Sequence, residues 1–255
     1  MATRLELTVG GAIARLTLAS DDGENRIGRE TITELQTLCA ALAEMPGLRA
    51  VVLHGETGFC PGWSAALLEE AAAGSGLLTA PGDPFGCLVE LPLPAIAAIE
   101  GDCCSAGLEL ALACDLRVAS AAARFAFPET EFGLIPLAGG TQRLPRLVGR
   151  GRALAMILLG QTIDGATAEA WGLVNTVANA DGALALAERL AATIATRGPI
   201  AERFAKEAVQ NGSDLPLARA LRYELDLTVL LQTTADRAEG VRAFTEKRPP
   251  EFHGR

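Results

Sequence analysis

The alternation of short apolar runs with helix-patterned segments constrains this chain more than any other feature. Residues 48–54 carry the apolar run Ala50-Val51-Val52-Leu53, and Pro94 introduces a second run, Ala95-Ile96-Ala97-Ala98-Ile99. A helical pattern over 108–113 then leads into a third strand pattern over 115–119. Strand, helix and strand in this order predict an α/β fold with crossover connections. Upstream, residues 4–9 and 12–18 alternate on either side of Gly10-Gly11, which predicts a β-hairpin. Ile32, Leu35, Leu38, Cys39 and Leu42 recur at helical spacing within 29–45, and Pro46-Gly47 stops that helix. Residues 74–84, rich in Gly, Pro, Ser and Ala, predict a loop.

From Thr141 the rhythm changes. Helical patterns cover 152–160, 166–171, 182–196, 200–210 and 215–244, interrupted by a short strand pattern over 173–177. The expected organisation is an α/β core over residues 1–195 with a helical region over 196–255. The last helices carry Leu221, Leu225, Leu227, Val229, Leu230 and Leu231 on more than one face. Such a face is covered either by a neighbouring subunit or by the chain's own core.

Composition narrows the function classes. A net charge of −9 opposes a sequence-independent grip on nucleic-acid phosphates and a polybasic membrane patch. Aromatics at 4% are too few for base-stacking platforms, and no apolar run approaches the ~18 residues of a membrane span. The opening residues lack the apolar core of a signal peptide, so a cytoplasmic chain with neither nucleic acid nor membrane as partner is expected. Cys39, Cys60, Cys87, Cys103, Cys104 and Cys114 show no C-x-x-C pairing and read as small buried apolar residues. The only histidines are His54 and His253. An imidazole metal site or a histidine triad has little to draw on, so no metal is expected and the chemistry falls to carboxylates.

Three stretches depart from the local pattern. Gly55-Glu56-Thr57-Gly58-Phe59-Cys60-Pro61-Gly62-Trp63-Ser64 is a Gly/Pro-rich turn between a strand and a helix, able to leave N–H groups unpaired. Glu100-Gly101-Asp102-Cys103-Cys104-Ser105-Ala106-Gly107 places small residues at a helix start, where free N–H groups attract negative charge. Glu109 follows on an otherwise apolar helix, with Ser105, Ala106, Leu112 and Ala113 as its helical neighbours. In the third stretch, Phe125 to Pro136, Glu129 and Glu131 share a face if the segment is extended, and periodicity does not choose between them. Two carboxylates meeting in an apolar pocket have their pKa values pushed apart, giving an acid and a base near neutrality. Arg143, Arg146 and Arg150 lie at helical spacing behind Gly139-Gly140; this is not a P-loop, and surface ion pairs are the expected use.

Together these residues resemble the crotonase family, the enoyl-CoA hydratase/isomerase superfamily. The resemblance runs nearly end to end: Asn25, Phe59 to Trp63, Ile99 through Cys114-Asp115-Leu116-Arg117-Val118, Pro128-Glu129, Gly139-Gly140-Thr141-Gln142-Arg143-Leu144, Gly172 to Asn175, and Glu246 to Pro249. It implies a crotonase-like spiral of ββα units with a C-terminal helical trimerisation region, assembled as a homotrimer or dimer of trimers. It implies an acyl-CoA thioester substrate, with coenzyme A part of that substrate and no separate cofactor. By the same resemblance the main-chain N–H groups of Trp63 and Ala106 bind the thioester oxygen, one such donor being worth ~3–4 kcal/mol. Glu109 would activate water and Glu129 would exchange the proton at C2. Asn25, Ile27, Gly62, Asp102, Pro128 and Leu137 map to the acyl-CoA cleft, and Lys247 to the cofactor phosphates. The sequence departs from the family at Pro61-Gly62-Trp63-Ser64, at Ser105-Ala106-Gly107 in place of three glycines, and at Leu137 in place of glycine.

Hydration of a 2,3-enoyl-CoA is the activity these residues imply. Double-bond isomerisation in the same site is the nearest rival. Outside that chemistry stand a hydrolase using Cys60 or Ser64 with His54, and a catalytically silent acyl-CoA-binding subunit.

Overall fold

The computed structural model describes residues 3–73 and 82–255. In chain order its first elements are β1 (Arg4–Gly10), β2 (Ile13–Ala19), α1 (Arg29–Ala43), β3 (Ala50–Gly55), α2 (Ala65–Ala72) and α3 (Gly86–Val89). Then come β4 (Ala95–Ile99), β5 (Asp102–Cys104), α4 (Ala106–Ala113), β6 (Leu116–Ala119), β7 (Arg124–Ala126) and a 3-10 turn over Glu129–Phe132. The remainder is α5 (Gly140–Val148), α6 (Arg150–Leu158), β8 (Ile163–Asp164), α7 (Gly165–Trp171), β9 (Thr176–Val177), α8 (Gly182–Ile194), α9 (Pro199–Gly212), α10 (Leu217–Leu231) and α11 (Ala235–Glu246).

The hairpin β1–β2 opens a six-stranded sheet in the order β1-β2-β3-β4-β6-β9, parallel from β2 onward. Its central strands are apolar on both faces because helices cover both faces. Ala50, Val52, Ile96, Ala98 and Val118 pack on Ala183, Ala187 and Ala191 of α8. The alternate residues Val51, Leu53, Ala97 and Ile99 join Ile32, Leu35 and Leu42 of α1 and the apolar side chains of α4 in the main core. A second sheet, β5-β7-β8, was not expected from the sequence. It gives the fold its repeat: β4-β5-α4 and β6-β7-α5 each place a strand in the large sheet, a strand in the small one and then a helix. In the preceding turn of the spiral a single bridge, Cys60 with Cys103, stands where the small-sheet strand would be.

Two boundaries differ from the sequence patterns. The strand expected over 173–177 shrinks to β9, because Leu173 and Val174 give their N–H groups to the Ala168 carbonyl at the end of α7 (2.9 and 3.2 Å). The single helical pattern over 215–244 breaks into α10 and α11, where the Thr234 hydroxyl accepts the Arg237 N–H (3.2 Å) and caps the second helix. Leu217, Leu221, Leu225, Val229 and Leu230 of α10 are exposed, so most of this face is not covered by the chain's own core. The loop expected over 74–84 lies largely outside the described residues.

Arg117 on β6 is buried and donates to the carbonyls of Leu173 (2.8 Å), Cys114 (2.8 Å) and Ala111 (3.4 Å), tying down the end of α4. Arg143 and Arg146 form ion pairs with Asp83 and Asp214. All six cysteines are free thiols, with Cys39, Cys60, Cys103 and Cys114 buried. No helix among the described residues is long and apolar enough to cross a membrane.

Candidate active site

The two departing loops meet through Cys60. Its N–H donates to the Asp102 carbonyl (2.9 Å) and its carbonyl accepts the Cys104 N–H (3.1 Å). A Cβ added at Gly107 would lie 2.1 Å from that same carbonyl, so only glycine permits this approach. The first loop then bridges to Ile27: the Ile27 N–H donates to the Gly62 carbonyl (2.9 Å) and the Ser64 N–H to the Ile27 carbonyl (2.8 Å). A parallel bridge uses the residues on either side of Trp63 and leaves the Trp63 N–H without an acceptor among the described residues. In the second loop Ser105 adopts φ +51 and gives its N–H to Ala126 (3.0 Å), making Ala106 the first residue of α4. The Ala106 N–H belongs to the first helical turn and likewise has no acceptor among the described residues.

Glu109 is 0% exposed, one turn into α4. Its Oε1 accepts the N–H groups of Ala138 (2.7 Å) and Gly140 (2.8 Å), whereas its Oε2 has no partner among the described residues. A Cβ at Gly140 would lie 3.0 Å from Oε1 and 2.7 Å from the Phe127 ring, so the cradle needs glycine. Burial raises the Glu109 pKa to about 7; the Gly140 and Ala138 N–H groups oppose this, and the Glu129 charge adds to it. Glu129 opens the 3-10 turn at 5% exposure, with neither carboxylate oxygen in a hydrogen bond of ordinary geometry. Burial raises its pKa too, offset in part by the Ser105 hydroxyl. Glu131 is exposed, because at three residues per turn positions two apart diverge. The extended segment considered from sequence does not form, and only Glu129 is turned inward.

Two buried carboxylates with unpaired oxygens thus adjoin two loops whose Trp63 and Ala106 N–H groups have no acceptor among the described residues. An enoyl-CoA hydratase/isomerase family model matches residues 8–255. The chain belongs to the enoyl-CoA hydratase/isomerase family. It is 37% identical over 246 residues to the human mitochondrial methylglutaconyl-CoA hydratase, covering 91% of this chain and 71% of that protein. It is 34% identical over 254 residues to the (E)-benzylidenesuccinyl-CoA hydratase of Thauera aromatica, covering 97% and 98%. The crystal structure of the Bacillus anthracis enoyl-CoA hydratase superposes with a TM-score of 0.90 at 34% identity, covering 99% of this chain and 100% of that one. The spiral fold expected from the sequence is therefore that of the family, and the chain is an enoyl-CoA hydratase-like enzyme.

Within this family member, the remaining residues named from sequence take distinct places. Ile27 holds Gly62 and Ser64 through its main chain. Asn25, at φ +54, donates from Nδ2 to the Gly58 carbonyl (2.8 Å) and fixes the turn leading to Cys60. Asp102 contributes its carbonyl to Cys60, while its half-exposed carboxylate pairs with Arg124 at 3.5 Å. Pro128 caps the 3-10 turn, and Leu137 packs on the main core beside Glu109. Lys247 ends α11 at φ +52, exposed and with no ion pair among the described residues. His54 is engaged by Thr17 (2.9 Å) and the Gly55 carbonyl (3.1 Å), Ser64 caps α2, and the Cys60 thiol is buried with its pKa pushed up to about 12. The hydrolase arrangement is not assembled.

Sequence reasoning missed Ala138 and Gly140 as the groups that hold Glu109, and Phe85, which stacks on Trp63 with ring centroids 5.9 Å apart and planes at 7°. Gly139-Gly140 was visible as a helix start; nothing local indicated a carboxylate 31 residues upstream.

Proposed function

We propose that the protein is an enoyl-CoA hydratase, adding water reversibly across the 2,3-double bond of an enoyl-CoA thioester. The observation that carries this reading is the pair of buried carboxylates, Glu109 and Glu129, each with an unpaired oxygen, beside two unpaired main-chain N–H groups. Glu109 keeps one oxygen fixed by Ala138 and Gly140 and presents the other to water. As the water oxygen bonds to C3, Glu109 takes its proton and the π electrons move onto the thioester oxygen. The N–H groups of Trp63 and Ala106 stabilise that oxyanion. Glu129, whose carboxyl burial biases toward the protonated form, delivers a proton to C2. Product release and transfer of the proton from Glu109 to Glu129 restore the starting state.

Coenzyme A enters only as part of the substrate. Asn25, Ile27, Gly62, Asp102, Pro128 and Leu137 frame the cleft, and Lys247 meets the cofactor's phosphates. Residues 196–255 form the oligomerisation region of a homotrimer or dimer of trimers, a reading supported by the exposed apolar residues of α10.

Turnover of a panel of enoyl-CoAs in 18O-labelled water tests the reading. Hydration places the label at C3, and Glu109→Gln and Glu129→Gln each lower the rate by about a hundredfold or more. Isomerised product without label, or unchanged hydration in both variants, would overturn it.

A further inference from the structure

Four buried polar side-chain atoms of this site have no hydrogen-bond partner among the described residues: Glu109 Oε2, both Glu129 carboxylate oxygens and Trp63 Nε1. Hydration as proposed uses the first three. The Trp63 main-chain N–H is used too, but the indole N–H is not. It sits on a side chain 3% exposed, and an orphaned buried donor is sustained in a native site where a ligand atom completes it.

The indole is held in fixed relation to the base. Phe85 covers one face of it. The Phe85 N–H donates to Asp83 Oδ1 (3.1 Å), Asp83 pairs with Arg143, and Arg143 Nη1 donates to the Ala138 carbonyl (3.0 Å). Ala138 in turn gives its N–H to Glu109. Along this series of contacts the one cation, Arg143, is already committed to Asp83 and to a carbonyl. A carboxylate brought against Trp63 would meet a neutral donor, while the cation of this series is already paired, an unfavourable burial. A plain hydrocarbon would leave the donor unpaired.

We propose that the Trp63 indole N–H is a specificity donor for an uncharged oxygen (ether, hydroxyl or carbonyl) carried by the acyl chain beyond the 2,3-double bond. The proposal rests on the hydratase reading and names the substrate class for it. Its chemical content is selective: the oxygen-bearing chain pairs the donor, and its all-carbon counterpart does not.

The test compares (E)-oct-2-enoyl-CoA with analogues in which oxygen replaces the methylene at chain position 5, 6 or 7, and with (E)-oct-2-enedioyl-CoA. One oxa-analogue should exceed the parent in kcat/KM, and that ratio should fall at least about fivefold in Trp63→Phe. Placing the benzothiophene analogue of tryptophan at position 63 removes the N–H and keeps the ring's shape, and the same fall is expected. It serves alone if Trp63→Phe does not fold. Hydration with a ratio unchanged within twofold overturns the proposal. A wild-type preference for the dicarboxylate that disappears with the N–H overturns its uncharged assignment. Absence of hydration on every chain removes the hydratase reading and the proposal with it.

Discussion

Replacing Glu109 by glutamine should cost activity and gain stability, and the gain should depend on pH in one direction. The carboxyl is fully buried, and burial moves its pKa from 4.5 to about 7 in the folded protein. At 1.36 kcal/mol per pH unit, ionising it inside the fold costs about 3 kcal/mol above pH 7. The sign follows from proton counting. Below pH ~4.5 the group is protonated in both folded and unfolded chains and contributes nothing. Between about 4.5 and 7 the folded chain holds more protons, so stability falls as pH rises; above about 7 the loss is complete. Glutamine cannot ionise. Its oxygen can still accept from Ala138 and Gly140, while its amide meets the unpartnered position of Oε2, a charge-free cost of about 1–2 kcal/mol. The variant should therefore be no more stable than wild type at pH 4.5 and more stable by about 1–2 kcal/mol at pH 8. Urea unfolding of both proteins at the two pH values, at one fixed protein concentration, measures the difference. A stability difference that is the same at both pH values, or that shifts toward wild type as pH rises, refutes the burial argument for Glu109.

Two further outcomes follow from the same geometry. In the hydration direction kcat/KM should rise as pH increases through about 7, where Glu109 loses its proton and becomes able to take one from water; a flat profile between pH 5 and 8 would contradict this. Gly140→Ala forces a methyl group to within 3.0 Å of Glu109 Oε1 and 2.7 Å of Phe127, and should lower kcat at least tenfold with about 1–3 kcal/mol of destabilisation, read by steady-state kinetics and thermal melting.

How far the fold could be read from the residues depended on element length. Apart from β9, the strands of the large sheet carry four to seven residues, long enough for an alternating or continuous apolar pattern to register. β5, β7 and β8 carry two or three, too few for any period to register, so the small sheet and the ββα repeat were invisible to pattern alone. The break between α10 and α11 was hidden because apolar spacing continues across it. Glu109 was legible because a carboxylate with apolar helical neighbours has no surface role to fill. Glu129 was legible only through the family resemblance, since a 3-10 turn of four residues cannot be told from an extended segment by spacing. The cradle of Ala138 and Gly140 depends on tertiary approach of α5 to α4, which no local signal encodes.

The guanidinium of Arg117 has a consequence at a distance. It binds the carbonyls of Ala111 and Cys114, the negative pole of an eight-residue helix whose positive pole is the Ala106 N–H. A helix of this length spans about 12 Å and carries roughly half an elementary charge at each end. Where a fixed cation more than offsets the far pole within the same apolar interior, the near pole acts on an approaching oxygen without the opposing partial charge at the helix's other end. The residue that secures the helix therefore also sets the electric field at its opposite end.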